Sequence, residues 1–304
     1  MERLVLGLAL LAAGSPLPLS SSIQEVAMDM APASFDDRYE GCSHLMEREL
    51  PELNRTEFGT NGLYAEAWSR AAEAWRQRRV PMAAGLRPEH AVALLAYTME
   101  GPLYAAFNAA VREAGGSRQR YLHGFPFKAL HFLLSQALST LRAAGDRDRD
   151  RCRRVFRGVR AVRFTARLGQ SVRFGHFTSS SLRNGSGFGC DTFFTVRTCC
   201  GVPISRFSSY PAEEEVLIPP SEVFQVTGFS RTGRGSLIQL RSQGTNSTYN
   251  CELVKEKRCG SAPCSFRAAE PGPHGCGATS AGAPPGSSAP WGLLLAALAA
   301  AGRP

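Results

Sequence analysis

The stretch that decides the interpretation of this chain is Pro211-Ala-Glu-Glu-Glu-Val-Leu-Ile-Pro-Pro220, where three adjacent carboxylates precede an apolar run closed by two prolines. Glu213 and Glu215 lie two residues apart, so an extended backbone would point both side chains to the same side. Carboxylates that close repel and raise each other's pKa. The pair therefore favours a site that holds a cation or stabilises positive charge formed during a reaction. The alternative is a solvated acidic turn ahead of a strand.

Both ends of the chain carry targeting patterns. A basic residue precedes the apolar run at residues 4–13, which predicts a secretory signal peptide over residues 1–22. At the other end, small residues and a spacer precede an apolar run at residues 291–301 that is too short to span a bilayer. This pattern predicts a glycosylphosphatidylinositol (GPI) anchor, with residues 281–304 removed as a propeptide, and a tail with a chance apolar run is the alternative. We therefore expect the protein at the extracellular face of the plasma membrane.

An extracellular location also predicts disulfides. The chain has nine cysteines, at positions 42, 152, 190, 199, 200, 251, 259, 264 and 276. The odd number leaves at least one without an intrachain partner, and spacing alone does not give the pairing. Glycosylation sequons begin at Asn54, Asn184 and Asn246, which fits secretion.

The character of the sequence changes near residue 145. Across residues 23–145, apolar residues recur at intervals of three and four, as in Leu130, Leu134 and Leu138, which predicts helices with one buried face. Residues 146–265 contain short runs rich in β-branched and aromatic residues, which predict strands, and residues 266–280 form a linker. Helices first and strands second predict an α+β fold, as one large domain or two coupled halves. No nucleic-acid-binding motif accompanies the net charge of +9, so we attribute it to the fold's surface and to attraction for a small anionic ligand.

Three motifs in the second half form a recognisable series. They are Val155-Phe-Arg157-Gly158-Val159, then Phe177-Thr-Ser179-Ser-Ser181-Leu182, then the Glu213 and Glu215 pair. In this order, in a secreted chain, they resemble the Arg–Ser–Glu-x-Glu signature of the arginine-specific ecto-ADP-ribosyltransferases. The resemblance extends from about residue 29 to residue 264 and is nearest to the GPI-linked, muscle-type branch of the family. Segments that carry it include Ala33-Ser-Phe-Asp-Asp-Arg-Tyr-Glu-Gly-Cys42 and Ser247-Thr-Tyr-Asn-Cys251.

The resemblance implies a fold and an activity. The fold is α+β, with a helical N-terminal half packed on a mixed β-sandwich NAD-binding core, and the catalytic domain spans residues 23–280. The activity is transfer of ADP-ribose from NAD+, as co-substrate, to arginine side chains of extracellular or cell-surface proteins, with release of nicotinamide. It implies no metal and no nucleic-acid partner.

The resemblance also implies roles for the motif residues. Glu215 stabilises the positive charge that develops on the ribose, as carboxylates do in glycoside hydrolysis, and Glu213 orients and polarises the incoming guanidinium. Arg157 anchors the phosphates or ribose of NAD+, and Gly158 lets the backbone come close. Ser179 braces the catalytic glutamate; by itself, an ordinary strand serine would be the simpler interpretation.

Four further residues resemble family positions near the substrates. Tyr97 and Ser208 correspond to positions near NAD+. Phe188 is expected to stack on nicotinamide, with a core phenylalanine as the alternative. Tyr210 precedes the glutamates, where an aromatic ring can stack on the target arginine, and a surface tyrosine is the competing interpretation.

The resemblance further implies the disulfides Cys42–Cys251 and Cys152–Cys199, with Cys259–Cys264 as a local third pair. This chain departs from the family between Ser179 and Thr192, where it is shortened, rich in glycine and carries the Asn184 sequon. A glycan there would crowd the nicotinamide side. Two alternatives therefore stay open: an NAD+ glycohydrolase that uses water as acceptor, and a non-catalytic anchored glycoprotein.

Overall fold

The first half of the chain is helical, as predicted, and begins with one strand that the sequence pattern did not reveal. The structure, a computed structural model, describes residues 23–145, 152–184, 191–233, 235–259 and 266. The predicted signal peptide and anchor propeptide, together with Phe188 and Cys190, lie outside these residues. The elements of this half are β1 (Gln24–Ala27), α1 (Ser43–Thr60), α2 (Gly62–Gln77), α3 (Pro88–Thr98), α4 (Leu103–Ala114) and α5 (Lys128–Ala144).

Helices α3 and α5 form the centre of the helical half. All residues of α3 from His90 to Thr98 are buried, and Pro88 opens this helix at a position whose N–H would have no helical partner. Helix α5 buries the face predicted from its apolar spacing, including Leu130, Leu134 and Leu138. Within the described ranges, no helix is long and apolar enough to cross a bilayer.

The second half is mainly β, with one short helix near its end that was not predicted. That helix, α6 (Glu252–Cys259), packs beside α1. The strands are β2 (Arg153–Val159), β3 (Val162–Thr165), β4 (Ser171–Val172), β5 (Thr178–Ser181), β6 (Thr192–Thr198), β7 (Val202–Pro203), β8 (Glu215–Ile218), β9 (Glu222–Thr232) and β10 (Gly235–Thr245).

Eight of these strands form one mixed sheet in the order β4-β9-β10-β6-β2-β5-β8-β7, and β1 pairs with β3 in a separate two-stranded sheet. Strands β6 and β10 run parallel, whereas β2 is antiparallel to both β6 and β5. The β2–β6 pairing extends over seven residues, but β2 meets β5 only where Phe156 lies opposite Ser181. The large sheet therefore narrows to a weak junction between β2 and β5.

The described residues form two apolar cores. The helices share one core with Phe177, Phe207 and Leu217 from the strand half. Side chains such as Val155, Val196 and Ile238 form the second core inside the sheet region. The predicted α+β class, with a helical half packed on a mixed β half, is confirmed.

Two of the predicted disulfides are confirmed. Cys42–Cys251 joins the start of α1 to the start of α6, and Cys152–Cys199 joins the start of β2 to the end of β6. Cys259 is also disulfide-bonded, but its predicted partner Cys264 lies outside the described residues. The first bridge closes a loop of most of the domain and so ties the N-terminal helices to the end of the β half.

Candidate active site

The weak junction in the sheet brings the three motifs together. Arg157 lies on β2, Ser179 on β5 and Glu215 at the start of β8. The Arg157 Nη1 donates to the Ser179 carbonyl oxygen at 2.6 Å, and the Ser179 side chain lowers the pKa of the Glu215 carboxyl. Side chains that are 58 residues apart in sequence (215 − 157) therefore share one cluster, as the sequence motifs predict.

Glu215 is a buried carboxylate with hydrogen-bond donors of its own. Only 6% of the residue is exposed, and the Ser208 Oγ donates to Oε2 at 2.6 Å. Burial is the largest influence and raises the pKa of Glu215, and the charge of Glu213 acts in the same direction. The hydroxyls of Ser179 and Ser208 and the Arg157 charge lower this pKa. A carboxylate held away from bulk water by fixed donors acts strongly on positive charge beside it, because little solvent screens the interaction.

The backbone between the two glutamates is not extended. Glu213 ends a 3-10 turn (Pro211–Glu213), Glu214 adopts a left-handed conformation with φ of 49°, and Glu215 begins β8. The prediction that an extended strand aligns Glu213 with Glu215 was therefore wrong in its geometry. The turn is held from β5, where the Ser181 Oγ donates to the Glu213 carbonyl oxygen at 2.6 Å. As a result Glu213 is exposed while Glu215 is buried.

The Arg157 end of the cluster is electropositive. The Arg157 Nη2 donates to the Tyr104 hydroxyl at 3.2 Å. Burial, together with the charges of Arg157 and Arg112, lowers the pKa of His176 to about 3. The ring of His176 is therefore neutral near pH 7, and its Nδ1 donates to the Phe174 carbonyl oxygen at 2.6 Å. Two guanidinium groups near one neutral imidazole suit an anionic ligand.

Tyr97 and Ser208, both predicted near NAD+, lie beneath the site. Tyr97 is fully buried, donates to the Phe177 carbonyl oxygen at 2.7 Å and accepts from Asn108 Nδ2 at 3.0 Å. Ser208 is also fully buried and is committed to Glu215. Tyr97 reaches Arg157 only through Tyr104, whereas Ser208 contacts Glu215 directly.

Three predicted residues remain to be located: Gly158, Tyr210 and Phe188. Gly158 is a strand residue opposite Phe193 and does not have a positive φ, so its conformation does not require glycine. Tyr210 is 43% exposed and stands directly before the 3-10 turn that ends at Glu213. Phe188 lies outside the described residues, whereas Asn184, just before that gap, is exposed.

Tyr104 is a site residue that sequence reasoning missed. It accepts the Arg157 hydrogen bond, and its ring centroid lies 5.1 Å from that of Tyr97. A signal was present, because Tyr104 and Asn108 are four residues apart on α4 and so share one helix face. Polar groups at that spacing on an otherwise apolar helix face point to a partner across the interface.

A helical half joined to a mixed sheet, with a buried glutamate beside an arginine at the junction, defines the class of ADP-ribosyl-transferring enzymes. A family model described as NAD:arginine ADP-ribosyltransferase matches residues 28–248. The chain belongs to this family, which confirms the resemblance noted in its sequence.

Relatives of known name agree with this assignment. The chain is 58% identical over 255 residues to the erythroblast NAD(P)(+)–arginine ADP-ribosyltransferase of Gallus gallus, with 83% of this chain and 84% of the relative covered. It is 50% identical over 258 residues to the GPI-linked NAD(P)(+)–arginine ADP-ribosyltransferase 1 of Homo sapiens, with 79% and 78% covered. The chain therefore matches relatives over most of their length.

The fold also matches solved structures. The crystal structure of the eukaryotic mono-ADP-ribosyltransferase ART2.2 is similar with a TM-score of 0.62 at 38% identity, and covers 74% of this chain and 98% of that one. A variant of ART2.2 solved in complex with NAD gives the same TM-score at 37% identity. The predicted ADP-ribosyltransferase fold is thereby confirmed.

Proposed function

We propose that this chain transfers ADP-ribose from NAD+ to arginine side chains through the cluster of Arg157, Ser179, Glu213 and Glu215. The bond between ribose C1′ and the nicotinamide nitrogen breaks, and its electron pair leaves with nicotinamide. A guanidinium nitrogen then bonds to C1′ and loses a proton. The observation that carries the proposal is the buried Glu215 carboxylate, which accepts from the Ser208 hydroxyl and whose pKa Ser179 and Arg157 both lower.

Glu215 is assigned to the developing positive charge. Bond cleavage makes the ribose electron-poor, so a nearby carboxylate stabilises the transition state more than it stabilises bound NAD+. The donors Ser179 and Ser208 favour the ionised form of Glu215 against the effect of burial. They also fix the carboxylate in place, so that little reorganisation is needed when the charge appears.

Glu213 is assigned to the acceptor. A guanidinium is cationic and a poor nucleophile, so it needs a group that holds it and takes up charge as its proton is lost. Glu213 is exposed at the end of its turn, beside the exposed Tyr210. This location suits a side chain from another protein, which must approach from solvent, and the exposed Tyr210 ring is assigned to stack on it.

Arg157 is assigned to the phosphates or ribose of NAD+. A guanidinium has five N–H donors, of which two are used here on Ser179 and Tyr104. Among the described residues no hydrogen bond uses the other three, which leaves them for a ligand. Tyr97 supports this region from below through Tyr104, whereas Ser208 acts through Glu215. Phe188 stays assigned to nicotinamide stacking on the resemblance alone, as does Gly158 to close approach of the backbone.

We further propose that the protein works at the outer cell surface on a GPI anchor and modifies arginine-bearing extracellular or cell-surface proteins. Relatives from Mus musculus and Homo sapiens are named GPI-linked, and residues 281–304 carry the anchor pattern. Treatment of intact expressing cells with phosphatidylinositol-specific phospholipase C should release the protein to the medium. Retention on the cells after treatment would count against the anchor.

The test of the reaction measures two products at once. Purified protein is incubated with labelled NAD+ and agmatine, a small guanidine, and both free nicotinamide and ADP-ribosyl-agmatine are quantified. Glu215→Gln should abolish both products, because the carboxylate acts on bond cleavage. Glu213→Gln should abolish transfer but leave nicotinamide release, because water can still serve as acceptor.

Glu214→Gln provides the matched control. Glu214 is the middle carboxylate of the run. It forms an ion pair with Arg183 at 3.2 Å, and both partners are about half exposed. Such pairs contribute little to stability, so this variant should keep both activities. Equal loss of both products in Glu213→Gln and Glu215→Gln would refute the division of roles. Absence of both products from the wild type would refute the proposed function.

A further inference from the structure

The segment that delivers Ser208 and Tyr210 to the glutamates is held by the helical half of the protein. Residues 204–210 connect β7 to the 3-10 turn, and the Ile204 N–H donates to the Glu215 carbonyl oxygen at 2.9 Å. Two side chains from the ends of α2 and α3 reach across to the backbone of this segment. Neither belongs to the family motifs discussed above.

Thr98, the last residue of α3, makes the first contact. The Ser209 N–H donates to the Thr98 Oγ1 at 3.0 Å. The Thr98 hydroxyl proton goes back to its own helix, at 3.0 Å from the Leu94 carbonyl oxygen and 3.2 Å from that of Leu95. The hydroxyl orientation is thus set by α3, and its lone pair is left to receive Ser209. Thr98 is buried, with 9% exposure, so water does not easily replace this acceptor.

Arg78, directly after α2, makes the second contact. Its Nη1 donates to the Ser208 carbonyl oxygen at 2.8 Å. One turn earlier on the helix, Trp75 packs on Phe207 with ring centroids 5.9 Å apart. Helix α2 therefore holds this segment by an apolar contact and a charge-assisted hydrogen bond.

The two contacts fall on one peptide unit, because the Ser208 carbonyl and the Ser209 N–H belong to the same planar peptide bond. Ser208 donates to Glu215 and also accepts from the Tyr210 N–H at 3.0 Å. The Tyr210 carbonyl oxygen in turn accepts from the Glu213 N–H at 3.0 Å. A shift of this peptide would therefore move the Ser208 donor to Glu215 on one side, and Tyr210 with the Glu213 turn on the other.

We propose that Thr98 and Arg78 are positioning residues of the transfer reaction: together they fix the peptide between Ser208 and Ser209, and so set both the Ser208 donor on Glu215 and the turn that carries Glu213. This inference rests on the proposed function, because it concerns the same site. It assigns to the helical half a part in aligning the two glutamates.

The test compares Thr98→Val with Thr98→Ser in the purified protein. Valine has the same shape but accepts no hydrogen bond, whereas serine keeps the hydroxyl. Loss of this buried bond should lower kcat/KM for agmatine by about ten- to a hundredfold, and nicotinamide release should fall with it, because the peptide positions both glutamates. Thr98→Ser should restore both rates. A matched control is Thr140→Val on α5, a half-buried helical threonine remote from this segment in sequence.

Arg78→Met tests the second contact, with Arg79→Met at the neighbouring exposed position as control. Arg78→Met should lower transfer and nicotinamide release together, because it acts through Ser208 and Glu215, and Arg78→Lys should recover part of the loss. The Arg78→Met comparison also tests the inference if Thr98→Val does not fold. Wild-type rates in Thr98→Val, or in Arg78→Met, would overturn the inference. An inactive wild type would instead overturn the proposed function.

Discussion

The hydrogen bond from Ser208 to Glu215 makes the sharpest prediction about the site. It is a 2.6 Å O–H···O contact to a carboxylate, made by a fully buried serine. Hydrogen bonds to charged groups contribute about 1.5–3 kcal/mol. If Glu215 acts mainly in the transition state, Ser208→Ala should lower kcat by roughly ten- to a hundredfold. The size of the effect depends on burial, because an exposed carboxylate would replace the lost donor with water.

The same substitution predicts a change in pH dependence. Burial and Glu213 raise the pKa of Glu215, and the Ser208 hydroxyl lowers it. Removal of this hydroxyl should therefore raise the pKa of Glu215 further. Because the ionised carboxylate is the active form, the acidic limb of the kcat profile for nicotinamide release should move to higher pH.

The assay is the release of nicotinamide across the acidic and neutral pH range, with saturating NAD+. Ser205→Ala is the matched control, because Ser205 lies in the same segment, three residues before Ser208. It should keep the wild-type profile. The reasoning would be refuted if Ser208→Ala retained kcat within about twofold of wild type and an unmoved acidic limb.

Two further predictions concern stability. Burial lowers the pKa of His131 to about 4 from 6.5, so the unfolded chain binds a proton that the folded chain does not between these values. The free energy of unfolding should therefore fall by about 3 kcal/mol as pH drops through that window. His131→Gln should remove this contribution. If the free energies of unfolding of the wild type and His131→Gln changed in parallel with pH, the prediction would be contradicted. Arg173 and Asp36 form a buried ion pair at 2.6 Å, and Arg173→Met should cost about 3–5 kcal/mol in denaturant unfolding because it leaves Asp36 unpaired. A loss of less than about 1 kcal/mol would show that other groups compensate the Asp36 charge when Arg173 is absent.

Local patterns predicted the elements whose packing is regular. The apolar spacing in α5 leads directly to its buried face, and one of the short runs rich in β-branched and aromatic residues forms β6. The change from helices to strands near residue 145 is also confirmed. Strand β1 and helix α6 were not predicted, and for β1 the reason is physical. Strand β1 is four residues long and largely exposed, and it exists because β3 pairs with it.

The composition of the site was predictable, but its supports were not. Arg157, Ser179 and Glu215 belong to recognisable motifs, and the structure brings them together. The sequence motifs gave no role to Tyr104 or Thr98, and each contributes one hydroxyl from a helix that packs against the β half. Which hydroxyl faces a strand residue depends on how the helix sits on the sheet, and that is a property of the assembled fold.

The bend at Glu214, which the sequence pattern did not predict, gives Glu213 and Glu215 different environments. On a regular strand, Glu213 and Glu215 would point to one face and share one degree of burial. Two buried carboxylates side by side would be costly, and at least one would take up a proton. The left-handed Glu214 breaks the alternation, so Glu215 turns inward to its serine donors while Glu213 stays in solvent. A left-handed residue other than glycine costs about 1–2 kcal/mol, which Ser181 and Leu182 offset by hydrogen bonds to the turn. The result is one carboxylate suited to a charge that forms within the buried cluster, and another suited to a cation that arrives from solvent.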